Sequence, residues 1–232
     1  IVVDKIETFV IHYTKLIDRK ANLLDQYDRT LFDLNFVEEF DAESLSDDVL
    51  KKFYDKSYEK FNKKVEIWKS NKASYYVMNK AEISCTIKHI KALQYVADSK
   101  EPYSLIIEDD AIPINNRKFY KQFFKLSKQK DWDAIFFGQG MGKDFIKKNT
   151  KEKNFFRNKF VQIEHPATNC LEAYVIKKDA ATKILTNILP FNLVSDWEIA
   201  YQFYKFNMNI FWYLPPLFFQ GSKNGQYKST LR

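Results

Sequence analysis

The sequence predicts an α/β fold in which a mostly parallel sheet is flanked by helices. Short apolar runs at residues 6–13, 103–111 and 133–137 alternate with stretches of helical period, the pattern of buried strands covered on both faces. The run Tyr103-Ser104-Leu105-Ile106-Ile107 stops abruptly on Glu108-Asp109-Asp110, and parallel sheets bind ligands at the carboxyl ends of their strands. No repeat and no Pro-, Gly- or Ser-rich linker divides the 232 residues, so a single domain is expected.

Residues 6–13 (Ile-Glu-Thr-Phe-Val-Ile-His-Tyr) read as the first buried strand and residues 16–27 as the helix after it. Acids and serines at 41–48 read as a loop with capping residues. Tyr54, Tyr58, Phe61, Val65 and Trp68 recur at spacings of three and four, predicting one amphipathic helix over 51–68. Asn79-Lys80-Ala81-Glu82 carries the capping-box arrangement, and Ile83, Ile87, Ile90, Leu93 and Ala97 supply the apolar face of the helix it opens.

The acidic strand follows, then a helix over 117–128 and a buried strand over 133–137 that ends in Gly138-Gln139-Gly140-Met141-Gly142. Glycines there permit close backbone approach to a ligand, and no Lys-Ser or Lys-Thr pair makes the run a phosphate loop. Residues 143–159 hold seven Lys/Arg interleaved with Phe145, Phe155 and Phe156 and show no period, so they read as a solvated loop or a flap touching an anionic surface. A strand over 171–177 and a helix over 178–189 precede an aromatic section at 201–219 and a polar tail.

A chain with 45% hydrophobic and 17% aromatic residues is globular, and no window reaches the roughly 18 to 20 apolar residues of a membrane span. Ile1-Val2-Val3 runs at once into Asp4-Lys5 and does not read as a signal peptide. Two cysteines, Cys85 and Cys170, make neither a disulfide framework nor a zinc spacing, which points to a reducing, cytoplasmic setting with peripheral membrane contact as a further option. The net charge of +7 is spread over many segments without a nucleic-acid motif, so no nucleic-acid partner is expected.

Three adjacent carboxylates need compensating positive charge, and hard cations such as Mn²⁺ or Mg²⁺ prefer oxygen ligands. Side chains alternate along a strand, so Glu108 and Asp110 are expected to share one side and Asp109 the other. Glu108 and Asp110 are therefore the expected metal ligands, a variant of the Asp-x-Asp arrangement that holds a metal-nucleotide diphosphate. The competing reading is a polar strand end starting a turn before Pro113.

At this point the residues resemble a known family. Ala81-Glu82-Ile83-Ser84-Cys85-Thr86-Ile87-Lys88-His89, then Leu105 to Ala111, then Asp133 to Gly138 are similar in order and spacing to blocks of glycosyltransferase family 25, which includes lipooligosaccharide galactosyltransferases and is related to the collagen galactosyltransferases. Ile11-His12-Tyr13 with Arg19, Ala173-Tyr174, Asp196, and Gln220 followed by Ser229 extend the likeness over most of the chain. Ala81 and Ser84 stand where the family has glycines, His12 replaces an Asn, and Asn169-Cys170 replaces Thr-Gly. Those departures bear on donor choice more than on reaction type.

The resemblance implies a GT-A-type, Rossmann-like sheet, with residues 1–138 binding the nucleotide sugar and 139–232 forming the acceptor side. It implies transfer of a hexose, galactose or glucose, from a UDP-sugar to a hydroxyl of a glycan, glycolipid or glycoprotein, with inversion. On this reading Asp109 bonds the ribose or donor sugar, and His12, Tyr13, Arg19, Glu82, His89 and Gln220 belong to the donor site. Asp196 is the expected base, against an N-cap role, and Glu198 is the fallback. Lys223, Lys228 and Arg232 are candidates to close over the diphosphate. Two other classes compete: a nucleotidyltransferase, whose glycine-rich loop is absent from His12-Tyr13-Thr14-Lys15, and a non-catalytic carbohydrate- or metal-binding protein.

Overall fold

The computed structural model describes residues 4–68, 74–129, 131–151, 159–166 and 170–227. Strands β1 (Ile6–Ile11), β2 (Phe32–Val37), β3 (Tyr103–Glu108), β5 (Ala134–Phe136), β6 (Phe160–Gln162), β7 (Ala173–Lys177) and β8 (Ile210–Tyr213) form one seven-stranded sheet in the order β2-β1-β3-β7-β5-β8-β6. The short strands β4 (Ala111–Pro113) and β9 (Phe218–Gln220) pair separately. The α-helices among the described residues are α1 (Ile17–Gln26), α2 (Asp47–Phe53), α3 (Tyr58–Val65), α4 (Lys80–Asp98), α5 (Asn116–Phe123), α6 (Lys143–Lys148), α7 (Lys178–Leu185) and α8 (Ser195–Lys205), with short 3-10 turns at Ala42–Ser44 and Leu126–Lys128.

Strand alternation sorts the core into two layers. Phe9, Ile11, Ile106, Phe136, Tyr174 and Ile176 face α4, α7 and α8, whereas Val10, Leu105, Ile107, Ile135 and Val175 face Leu23 of α1 and Phe119 of α5. Both faces of the central strands are therefore dry, which is why they read as continuous apolar runs. Strands β1, β2, β3, β5 and β8 run one way and β7 and β6 the other, so the sheet is mostly parallel, with antiparallel β7 inserted between β3 and β5.

The chain leaves β1 toward β2 on one side and returns to β3 on the other. Ile11 of β1 lies opposite Glu108 of β3, so both strands deliver their carboxyl ends to one place. A crevice opens where such a strand order reverses.

Several expected elements differ. The helix predicted over 51–68 is two: Ser57 caps a new helix by accepting from Lys60 N–H, and between them Phe191 N–H donates to Phe53 O while Asp55 N–H donates to Phe191 O. That long-range bridge takes backbone groups a continuous helix would need. Strand β2 was not expected, because its side chains are only partly buried at a sheet edge. Residues 143–148 of the supposed loop form α6, anchored by buried Ile146 and by Phe145 against Trp212. Residues 152–158 of that loop, with Phe155 and Phe156, lie outside the described residues, as do Lys228, Ser229 and Arg232.

Gly138 also has a different reason for being glycine: a Cβ there would meet the Glu172 carboxyl at 2.4 Å. The close approach is made by the protein's own side chain, which accepts a hydrogen bond from Gly140 N–H at 2.6 Å.

Candidate active site

Strand β3 ends at Glu108, and the next two acids form a turn. This corrects the alternation argument: once the chain leaves the pleat, successive side chains need not take opposite sides. Glu108, Asp109 and Asp110 all line one cavity of about 260 Å³, together with His12 and Tyr13 from the β1 end and Arg19 from α1. A second cavity of about 490 Å³ lies on the Asp196 side. Glu108, Cys85 and Gln220 line both.

Asp109 is the best-braced of the acids. Arg19 Nη1 lies 2.9 Å from its Oδ1 and His12 Nδ1 lies 2.9 Å from its Oδ2. Burial alone would raise its pKa, but the His12 and Arg19 hydrogen bonds hold it below the ordinary carboxylate value. With both oxygens so engaged, Asp109 ties the ends of β1 and β3 together while still lining the cavity.

Glu108 titrates the other way. Burial, and then the charges of Asp110, Asp109 and Asp196, push its pKa well up. His89 on α4 is fully buried with Nε2 3.3 Å from Glu108 Oε1, and burial lowers its pKa to about 4, leaving a neutral imidazole. Asp110 accepts from Ser222 N–H at 3.2 Å through Oδ2. Its Oδ1 and Gln220 Oε1 are both buried with no hydrogen-bond partner among the described residues. Gln220 reaches this place through pairing with Ala111 across β4 and β9.

Asp196 is the second residue of α8, whose N-cap position is Val194, so the competing N-cap role does not apply. Its carboxylate accepts from Trp197 N–H at 3.0 Å and faces the larger cavity, and burial raises its pKa. Glu198 is placed elsewhere. It is 0% exposed, is absent from both cavity walls, and accepts from Lys64 Nζ at 2.7 Å, Gln202 Nε2 at 3.0 Å and Asn192 N–H at 3.1 Å. A carboxylate so occupied has no path to an acceptor hydroxyl.

Glu82 completes the capping box with Asn79 and also accepts from Tyr76 O–H at 3.1 Å. It lines the larger cavity, whereas His12, Tyr13 and Arg19 line the smaller one. Tyr13 O–H donates to Glu43, with Lys15 Nζ 2.7 Å from the same carboxylate. Lys223 Nζ donates to Gly140 O at 2.9 Å, and its charge offsets a small part of the rise that burial imposes on the pKa of Glu108 and Asp196.

Reading the sequence missed Lys88, Glu43, Ser222 and Glu172. Lys88 is 2% exposed and is paired with Asp41 and His12 O in the smaller cavity. A signal was present: Ala81, Ser84, Cys85 and Lys88 form a small and polar stripe at helical spacing beside the apolar face of α4.

The family profile described as glycosyltransferase family 25 (LPS biosynthesis protein) matches residues 5–199. No curated protein matches the chain. Among solved structures, UDP-glucose pyrophosphorylase complexed with UDP-glucose is 13% identical, with 96% of each chain covered and a TM-score of 0.47. S. aureus TarS 1-349 is 14% identical over 94% of this chain and 60% of that one, TM-score 0.45. Mouse xyloside xylosyltransferase 1, apo form, is 8% identical over 88% and 70%, TM-score 0.41.

Proposed function

The chain belongs to glycosyltransferase family 25, and on that premise we propose that it moves a hexose, galactose or glucose, from a UDP-sugar to a hydroxyl of a glycan or glycolipid in lipopolysaccharide-type biosynthesis, with inversion. The observation that carries this reading is the junction of two cavities at Glu108 and Gln220. The smaller one, walled by His12, Tyr13 and Arg19, is assigned to the nucleotide sugar, and the larger one, holding Asp196, to the acceptor.

The donor set fits a hard divalent cation, Mn²⁺ or Mg²⁺. Glu108 and Asp110 supply carboxylates, and Asp110 Oδ1 and Gln220 Oε1 are buried acceptors with no hydrogen-bond partner among the described residues. Such a cation, when bound, offsets charge on the diphosphate as it leaves.

The remaining work falls to the protein's own groups. Arg19 and His12 hold Asp109 and with it the ends of β1 and β3, so the donor-side wall is rigid before the ligand arrives. Asp196, a carboxylate whose pKa burial raises, accepts the proton that the acceptor hydroxyl loses during attack. Inversion follows from one direct displacement with this base on the face opposite the leaving group. Lys223, within reach of the same acids, supplies a cation near the diphosphate.

The test is release of nucleoside diphosphate from a panel of nucleotide sugars with Mn²⁺, with Mg²⁺ and with chelator. Cation-dependent release from one donor is expected, because slow donor hydrolysis needs no acceptor. Binding of UDP-sugars that is absent by titration, together with no release, would overturn the assignment of the smaller cavity.

A further inference from the structure

Cys85, His89 and Glu108 bring one sulfur, one ring nitrogen and one carboxylate oxygen within 4.8 Å of one another. Cys85 and His89 are four positions apart on α4 and so share a face, and Glu108 meets them from the end of β3. This donor set is chemically unlike the all-oxygen set around Asp110. Thiolate, imidazole and carboxylate together are the ligands of Zn²⁺, which takes four in tetrahedral array and leaves the fourth for water or substrate where the protein supplies three. Here the open side is available, because Cys85 and Glu108 both line the two cavities. His89 is 0% exposed, its Nε2 lies 3.3 Å from Glu108 Oε1, and its Nδ1 has no hydrogen-bond partner among the described residues.

We propose that Cys85, His89 and Glu108 form a thiophilic cation site that takes Zn²⁺ in preference to Mg²⁺, and that filling it withdraws Glu108 from the donor-side carboxylate pair. On binding, the metal replaces the Cys85 thiol proton, which passes to solvent, and no oxidant or reductant is involved. Zn²⁺ is then an inhibitor of transfer that competes for a shared ligand. Only this last consequence rests on the nucleotide-sugar reading; the site itself does not.

The experiment uses the metal-free chain without any nucleotide sugar. Zn²⁺ is titrated against a chromophoric chelator, and Co²⁺ serves as a spectroscopic probe because sulfur ligation gives a charge-transfer band that oxygen ligation lacks. One Zn²⁺ per chain and a Co²⁺ charge-transfer band are expected. Affinity should fall by more than about tenfold in Cys85→Ser and in His89→Gln and persist in Asp110→Asn. Circular dichroism melts establish that each variant is folded, and Cys85→Ala provides a second variant of the buried thiol. Unchanged Zn²⁺ affinity in both cysteine variants, or a Co²⁺ spectrum without the sulfur band, overturns the site. Loss in Asp110→Asn with retention in the cysteine variants overturns it too, by placing the ion among oxygens. Failure here leaves donor hydrolysis unaffected, and failure of donor hydrolysis leaves the Zn²⁺ titration unaffected.

Discussion

Arg19 Nη1 lies 2.9 Å from Asp109 Oδ1, a buried ion pair that joins the first helix to the end of the third strand across 90 positions of sequence. The same guanidinium stands 5.1 Å from the Tyr227 ring centroid, so it also reaches the C-terminal segment. A segment that reads as a helix and one that reads as a strand end become one wall of the site through this contact.

Arg19→Met should destabilise the protein by roughly 3 kcal/mol, since it removes the guanidinium partner of a buried carboxylate that keeps its His12 contact. The loss should also depend on pH. Asp109 has a lowered folded-state pKa, so its contribution is present above the ordinary carboxylate value and vanishes as pH falls through the folded value. Urea unfolding from pH 7 downward checks this: the gap between wild type and variant should narrow toward acid.

Asp110→Asn should abolish cation-dependent donor hydrolysis and leave the fold intact, because Ser222 N–H keeps an acceptor. Full activity in the variant would end its assignment as a ligand. The readout is diphosphate release with Mn²⁺ against the melting temperature of the same preparation.

Asp196→Asn should retain nucleotide binding and lose transfer. Removing a positioned base costs on the order of 10²–10⁴ in rate. Nucleotide affinity by calorimetry, beside transfer to an acceptor, separates the two effects.

Glu198→Ala should fail differently. Lys64 is only 14% exposed and would lose its carboxylate partner, so a cost of roughly 3–5 kcal/mol in stability is expected. Activity per folded molecule should be largely kept, as measured by transfer normalised to the native fraction.

Glu172→Gln should stabilise the protein at alkaline pH. Burial raises the Glu172 pKa to about 7 from the ordinary 4.5. Its contribution is therefore complete below 4.5 and is lost as pH rises through about 7. The variant should gain up to about 3 kcal/mol over wild type above that range and nothing at pH 4, as read from denaturant midpoints.

How much of this was legible in the sequence follows from the range of the forces involved. Periodicity and capping are local, so α4 with its Asn79 and Glu82 box and the β1 and β3 cores could be read directly. Family blocks singled out the acids, Arg19, His89 and Asp196 as candidate site residues. Strand β2 was hidden because an edge strand with a half-exposed face lacks a continuous apolar run. The break between α2 and α3 was hidden because Phe191, far along the chain, supplies the hydrogen bonds that cause it.

The sequence by itself determined the α/β class, the run of acids at the end of β3 and the family. Only tertiary structure decided which acids differ from which. Asp109 is held ionised by Arg19 and His12, while Glu108 and Asp196 are pushed upward by burial. It also separated Asp196, at a cavity wall, from Glu198, which sits two residues on and is consumed by Lys64, Asn192 and Gln202. Charge state and access depend on what lies within a few ångströms in space, and neighbours along the chain do not specify that.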